Sequence, residues 1–323
     1  MNAKSSINIS IVIPVYLGEH CLTKLIEELL WYFTPSITLL GHSFQISEVL
    51  LVHDCGPDKS DSTIQALACQ YPQVRGIWLS RNYGQHPATL AGMASSSGDF
   101  VVTMDEDGQQ DPSSIPQLLD YALSHSLQLV YASPSNKPPH GFFRNLFSGL
   151  TKSIANKLVG GDISGFNSFR LIEGEIARTL AAYCGNGVYL DIGLFWITQN
   201  IGYCPVTLRS EDRPSGYSYK KLIGHFWRLL ITTGTRPLRL ITTLGILSVF
   251  LAVVFSVYAI YGKYFSQTPM QGWTSLLIVT SFFSGCTMIS MGLIAEYLAT
   301  TMGIVMGKPL YVISSKPTRR IKK

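Results

Sequence analysis

Asp105 and Asp107 stand one residue apart, with Glu106 between them, at the end of the short apolar run Phe100-Val101-Val102-Thr103-Met104. A run of this kind reads as a buried strand, so three carboxylates at its tip repel one another without a counter-charge. Side chains alternate faces in an extended segment, which puts the two aspartates on one side. Such a pair can hold a hard divalent cation, Mg2+ or Mn2+, through oxygen ligands. Gln109 continues that face and adds a carbonyl oxygen if the extended course persists. The competing reading is an acidic turn before a helix that starts at Asp111-Pro112-Ser113.

The elements around this tip decide between the two. Ile7–Val15 is a β-branched run ending in Pro14-Val15-Tyr16, and Cys21–Phe33 follows with helical spacing. Glu48–Val52 reads as a second strand ending at His53-Asp54-Cys55-Gly56-Pro57. Ser62–Gln70 is expected to be helical, Val74–Leu79 extended and His86–Ala94 helical. Alternation of this kind predicts a mostly parallel sheet with helices on both faces. Its ligands bind beyond the carboxyl ends of the strands, so the turns at Tyr16, Asp54 and Asp105 should share one crevice. The chain has no Gly-x-Gly-x-x-Gly or Walker-type loop. A nucleoside diphosphate would instead be held through a cation on the aspartate pair.

Composition adds a second unit. Leu240–Tyr261 and Trp273–Ala295 contain no charged residue. At 22 or 23 residues, each reaches about 33–35 Å as a helix, against a bilayer core of about 30 Å. Arg228, Arg236 and Arg239 precede the first stretch, and Lys308, Lys316, Arg319, Arg320, Lys322 and Lys323 follow the second, whereas the intervening loop offers only Lys263. The positive-inside rule then puts both flanks in the cytoplasm. The expected layout is a cytoplasmic domain over 1–219, a juxtamembrane amphipathic helix over 220–239, two transmembrane helices over 240–303 and a basic tail over 304–323. No signal peptide is read at the N-terminus. The six scattered cysteines lack metal-ligand spacing and read as reduced singles. The formal charge of +5 is concentrated near the apolar stretches, which suits anionic lipid and not nucleic acid.

Taken in order, Val12-Ile13-Pro14-Val15-Tyr16, the Asp54 turn, Ser80-Arg81-Asn82-Tyr83-Gly84 and Asp105-Glu106-Asp107-Gly108-Gln109 resemble the polyprenyl-phosphate glycosyltransferases of glycosyltransferase family 2, the dolichyl-phosphate mannose synthase-like group. The resemblance continues through Ser168-Phe169-Arg170-Leu171, Arg213-Pro214-Ser215-Gly216-Tyr217, Arg236-Pro237-Leu238-Arg239, Glu296-Tyr297-Leu298 and Lys308-Pro309-Leu310-Tyr311. It implies a GT-A fold, a nucleotide-sugar donor of UDP, GDP or CDP type, a divalent cation and a polyprenyl-phosphate acceptor. Asp105, Asp107 and Gln109 would hold the metal and donor diphosphate. Pro14, Tyr16 and Asp54 would line base and ribose, with Glu19, Asn82 and Asp105 completing the nucleotide-sugar set. Arg170, Arg213 and Ser215 would face acceptor phosphate, and Asp191 would be an acceptor-side carboxylate, so that the catalytic group is Asp105, Asp107, Arg213 and Asp191. His53 stands where the family often has a first aspartate, and Leu17-Gly18-Glu19 replaces its usual Asn-Glu-Glu. Those departures leave the base open.

Phe143, Leu146, Phe147, Leu150, Ile154 and Leu158 form an apolar stripe within 141–160, accompanied by Arg144, Lys152 and Lys157. Such a stripe suits a helix lying in the membrane interface. The expected product is a polyprenyl-phosphate sugar for glycan, O-antigen or cell-envelope modification, made at a bacterial inner membrane with inversion of the anomeric carbon. Small residues Gly285 and Gly292 would let copies pack as a homo-oligomer. The alternatives are a processive polysaccharide synthase, or a non-catalytic scaffold carrying a degenerate domain.

Overall fold

The computed structural model describes residues 6–134, 166–185, 188–207, 209 and 272–317, with isolated helical positions between 245 and 261. Arg213, Ser215, the 141–160 stripe, the 220–239 helix and most of the first apolar stretch lie outside the described residues. The chain forms two compact units, Met1–Ser218 with Pro309–Lys323, and Tyr219–Lys308.

The first unit is a nine-stranded sheet. At its centre β1 (Ile7–Val15) runs parallel to β3 (Ser43–His53) and β5 (Phe100–Thr103), and β4 (Val74–Leu79) runs parallel to β3. The short β2 (Ser36–Ile37) pairs antiparallel with the start of β3. Beyond β5 the expectation of a mostly parallel sheet gives way to a mixed one. There β7 (Arg170–Glu173) is antiparallel to both β5 and β6 (Leu129–Pro134), while β8 (Ile201–Val206) is parallel to β6. On the far edge β9 (Ile313–Ser314) pairs antiparallel with β4. Four-residue β7 and two-residue β9 carry too little periodicity to be read from sequence.

Alternation along β1 builds the two layers. Ile9, Ile11, Ile13 and Val15 face one core and Val12 faces the other, all fully buried. The first core is closed by α1 (Leu22–Leu29), α2 (Ser60–Gln70) and α4 (Ile115–His125), the second by α3 (Gln85–Ala94), α5 (Gly174–Tyr183) and α6 (Leu190–Ile197). In α1, Leu22, Leu25, Ile26 and Leu29 form the stripe that packs inward. The expected basic tail is not a free segment over its first half: besides β9, it supplies Leu310 and Tyr311 to the second core.

The second unit contains α7 (Trp273–Val305), ten residues longer than the span expected to end at Ala295. Its stretch Phe282–Val305 is long and apolar enough to cross a membrane, with mean hydropathy 1.5. It is the only such helix among the described residues, so the two-helix hairpin is not visible as a pair.

Gly92 marks how closely α3 lies on the sheet: a Cβ there would meet Val12 Cγ1 at 2.3 Å and Val52 Cγ2 at 3.0 Å. Gly92→Ala is therefore expected to lower stability by about 1–3 kcal/mol through overpacking. Thermal unfolding of the purified chain checks this, and an unchanged Tm would show that α3 can move aside.

Candidate active site

The sheet's carboxyl ends are joined by carboxylates. Glu106, at the tip of β5, accepts from the main-chain N–H groups of Tyr16 at 2.9 Å and Leu17 at 3.0 Å, which fixes the turn after β1. Asp54, at the tip of β3, accepts from the N–H groups of Tyr83 and Gly84, both at 2.7 Å, which fixes the loop after β4. The start of α2 is tied to the first turn by Gly18 N donating to Ser60 Oγ at 2.9 Å and Lys59 N donating to Glu19 Oε2 at 3.1 Å. The turn after β3 leaves no slack. Cys55 adopts φ +54, and a Cβ on Gly56 would come 1.8 Å from the Tyr16 carbonyl oxygen. The three turns expected to converge do so.

Asp105 lies at the centre. Its Oδ2 accepts from Ser168 Oγ at 2.5 Å and Gln110 Nε2 at 3.0 Å, its Oδ1 accepts from Gln85 Nε2 at 2.6 Å, and its N–H donates to Gln110 Oε1 at 2.8 Å. Asp107 is exposed, with Oδ1 accepting from Gln109 N at 3.1 Å. Gln109 does not continue the aspartate face as expected. Gly108 takes φ +75, the chain turns there, and Gln110 is the glutamine that reaches Asp105. The strand ends at Thr103, so alternation no longer governs these residues.

The remaining candidates are placed as follows. Pro14 pairs with Val52 inside the sheet, Tyr16 and Glu19 are half-buried in the braced turns, and Asn82 is exposed in the β4 loop. Arg170 and Asp191 do not face an open acceptor side. They form a buried ion pair, with side chains 4% and 5% exposed. Arg170 Nε also donates to Thr103 Oγ1 at 2.9 Å, and Tyr131 OH donates to Asp191 Oδ1 at 2.8 Å. A guanidinium so enclosed supports the floor of the site. Glu106, Gln85, Gln110, Ser168 and Ser60 were not anticipated as site residues. Of these, Ser168 and Glu106 carried a signal, within Ser168-Phe169-Arg170-Leu171 and Asp105-Glu106-Asp107.

The electrostatics favour a cation. Burial pushes the Asp105 carboxyl above its usual range; the Ser168 hydroxyl opposes the shift, the Asp107 charge adds to it, and Arg170 and Gln110 oppose it. Burial likewise raises Asp54 and Glu106, against the N–H groups they accept from. Among the described residues no three His, Cys, Asp or Glu side chains cluster to hold a metal by themselves. Two carboxylates of which one is exposed fit Mg2+ or Mn2+, which takes one or two protein carboxylates and completes its shell with substrate phosphate. The six cysteines form no disulfide, and burial pushes the Cys184 thiol up to about 11.

Residues 10–174, slightly more than half of the chain, match the family model described as glycosyl transferase family 2. The chain belongs to this family. An undecaprenyl-phosphate 4-deoxy-4-formamido-L-arabinose transferase of Pectobacterium atrosepticum is 27% identical over 95% of this chain and 92% of its own. The enzyme of that name from Sodalis glossinidius is 28% identical over 96% and 95%. The crystal structure of Mycobacterium tuberculosis glucosyl-3-phosphoglycerate synthase superposes with a TM-score of 0.50 at 18% identity, covering 72% of this chain and 82% of that one. That likeness establishes a GT-A-like α/β fold for this family 2 glycosyltransferase.

The raised carboxyls set the sign of its pH response. A group whose folded pKa lies above its unfolded value contributes stability that is present at low pH and lost as pH rises through the folded value. Asp54, Asp105 and Glu106 are all of this kind. Buried His53, which desolvation holds below its ordinary value, works the other way as pH falls, so it is in chelator-treated His53→Gln that Tm should hold or rise from about pH 8 to about pH 5. A steep fall across that window would show that these groups are not the dominant titrating set.

Proposed function

We propose that this transferase moves a single sugar from a nucleotide-sugar donor to a membrane polyprenyl phosphate, with inversion. The observation that carries the reading is the course of the chain just after β8. β8 runs in the direction of β5 from the edge of the sheet, with β6 and β7 between them, and three residues after its end Arg209 N donates to the Gln109 carbonyl oxygen at 3.0 Å. The segment heading for the apolar stretch thus passes the aspartate motif. Arg209 is anchored there by Asp111 at 3.0 Å and Glu28 at 2.8 Å. Arg213 and Ser215 follow by four and six residues, within about 14–21 Å of extended chain. The names of the full-length relatives agree with this acceptor class.

In this scheme Asp107 and Asp105 hold the cation, which supplies neutralisation of the leaving diphosphate. The braced turns at Tyr16, Asp54 and Asn82 seat the nucleoside. Arg213 and Ser215 orient the lipid phosphate, whose second pKa near about 6 leaves it largely ionised at neutral pH. One phosphate oxygen attacks the anomeric carbon as the bond to the diphosphate breaks, so no strong general base is required. Buried Asp191, paired with Arg170, then has a structural part. Catalysis rests on placement and charge.

Two crossings follow from connectivity if α7 spans the bilayer. Residues before and after the apolar segment belong to one unit, and β9 is hydrogen-bonded into its sheet. A chain that leaves and returns to one side crosses an even number of times. The second crossing falls on the uncharged stretch Leu240–Tyr261, whose described positions Phe250, Val253, Val254, Val257 and Tyr261 are helical and exposed. The flanking Arg and Lys residues put the catalytic unit on the cytoplasmic face, in a bacterial inner membrane.

Two measurements test the reading. Asp107→Ala should cut sugar transfer to polyprenyl phosphate by roughly 10²–10³-fold while leaving Tm nearly unchanged, because Asp107 is exposed; near-normal turnover would end the scheme. Reporter fusions after Lys323 and within residues 262–272 should report opposite sides of the membrane, and the same side would remove the hairpin.

A further inference from the structure

Gln85 is exposed, opens α3, and lies in no apolar cluster, yet its amide nitrogen reaches the Oδ1 of Asp105 at 2.6 Å. A carboxylate only accepts, so the amide must present N–H to it. The residue before it, Gly84, has φ +94, and its N–H is held by Asp54 Oδ2 at 2.7 Å. An L side chain at that φ is disfavoured, so the main chain enters α3 in one set direction. Asp54 on β3 therefore fixes the main chain at residue 84, and the next side chain fixes Asp105 beyond β5. On the opposite side Ser168 and Gln110 occupy only Oδ2. Without Gln85 the carboxylate is held from the Ser168 and Gln110 side alone, and it loses the restraint from α3 on rotation about its Cβ–Cγ bond.

We propose that Gln85 is a positioning residue of the transfer reaction, locking the Asp105 carboxylate in its cation-binding orientation and tying the β4 loop to the metal. The inference rests on the reading that Asp105 and Asp107 grip a divalent cation. Outer partners of metal-binding carboxylates typically contribute ten- to hundredfold in metal affinity.

The test uses the full-length protein in detergent with Mn2+ alone, following the free Mn2+ signal by electron paramagnetic resonance, and separately the Mn2+ concentration for half-maximal transfer. Gln85→Ala should weaken Mn2+ by about tenfold or more while kcat at saturating Mn2+ changes far less. The metal-free Tm should move far less than the Mn2+ affinity, since Gln85 itself is exposed and alanine favours a helix. Gln85→Met, of similar size but without a donor, should behave like Gln85→Ala. Unchanged Mn2+ affinity in Gln85→Ala, or wild-type affinity in Gln85→Met, overturns the proposal. Asp107→Ala separates the two failures: if it abolishes Mn2+ binding while Gln85→Ala does not weaken it, only the role of Gln85 falls, whereas if Asp107→Ala also binds normally, the cation site itself is wrong.

Discussion

Two neighbouring strand tips, those of β3 and β5, carry carboxylates that satisfy the main chain of the loops after β4 and β1. Turns that leave a parallel sheet have N–H groups with no ladder partner, and burying them unpaired costs about 1–3 kcal/mol each. Glu106 and Asp54 answer four of these groups, on Tyr16, Leu17, Tyr83 and Gly84. In return, charges that water would otherwise solvate are enclosed, and burial raises the carboxyls of Asp54, Asp105 and Glu106 together. The site is thus rigid and over-supplied with negative charge. That excess is what a divalent cation would relieve in the proposed reading.

The sheet's second feature is its closure by distant segments. β7 reverses direction between β5 and β6 and brings Ser168 and Arg170 beneath Asp105. Arg170 offers a positive field from below while Asp191 keeps it neutralised. An enclosed ion pair of this sort contributes little net stability against an apolar equivalent. Its part here is to hold β7 and α6 together next to Asp105. At the other edge β9 covers β4, and Val312 O accepts from Ser80 N at 2.9 Å, so the loop bearing Asn82 is held from both sides.

Much of this was legible in the residues. β1 and β4 match the expected ranges, and α2 and α3 start only one or two residues early, because short apolar runs and helical spacing between turn residues signal themselves locally. The carboxylate cluster was legible as well, although only the two aspartates were given chemistry. Glu106 looked like a third like charge, and nothing local says that its partner is a main chain ninety residues away. Strict alternation points to Gln109, and a single left-handed glycine cancels that alternation.

By itself the sequence determined the alternating strands and helices, the acidic tip, the apolar segment with its basic flanks and the kinship with family 2 glycosyltransferases, all properties of neighbouring residues or of ordered motifs. Tertiary structure alone decided which carboxylate braces which loop, that Arg170 is enclosed by Asp191, that Gln85 reaches Asp105, and that the chain's last stretch completes the sheet. The reason is physical: hydrogen bonds and buried ion pairs are set by which strand tips lie side by side, and the local pattern of residues does not encode that adjacency.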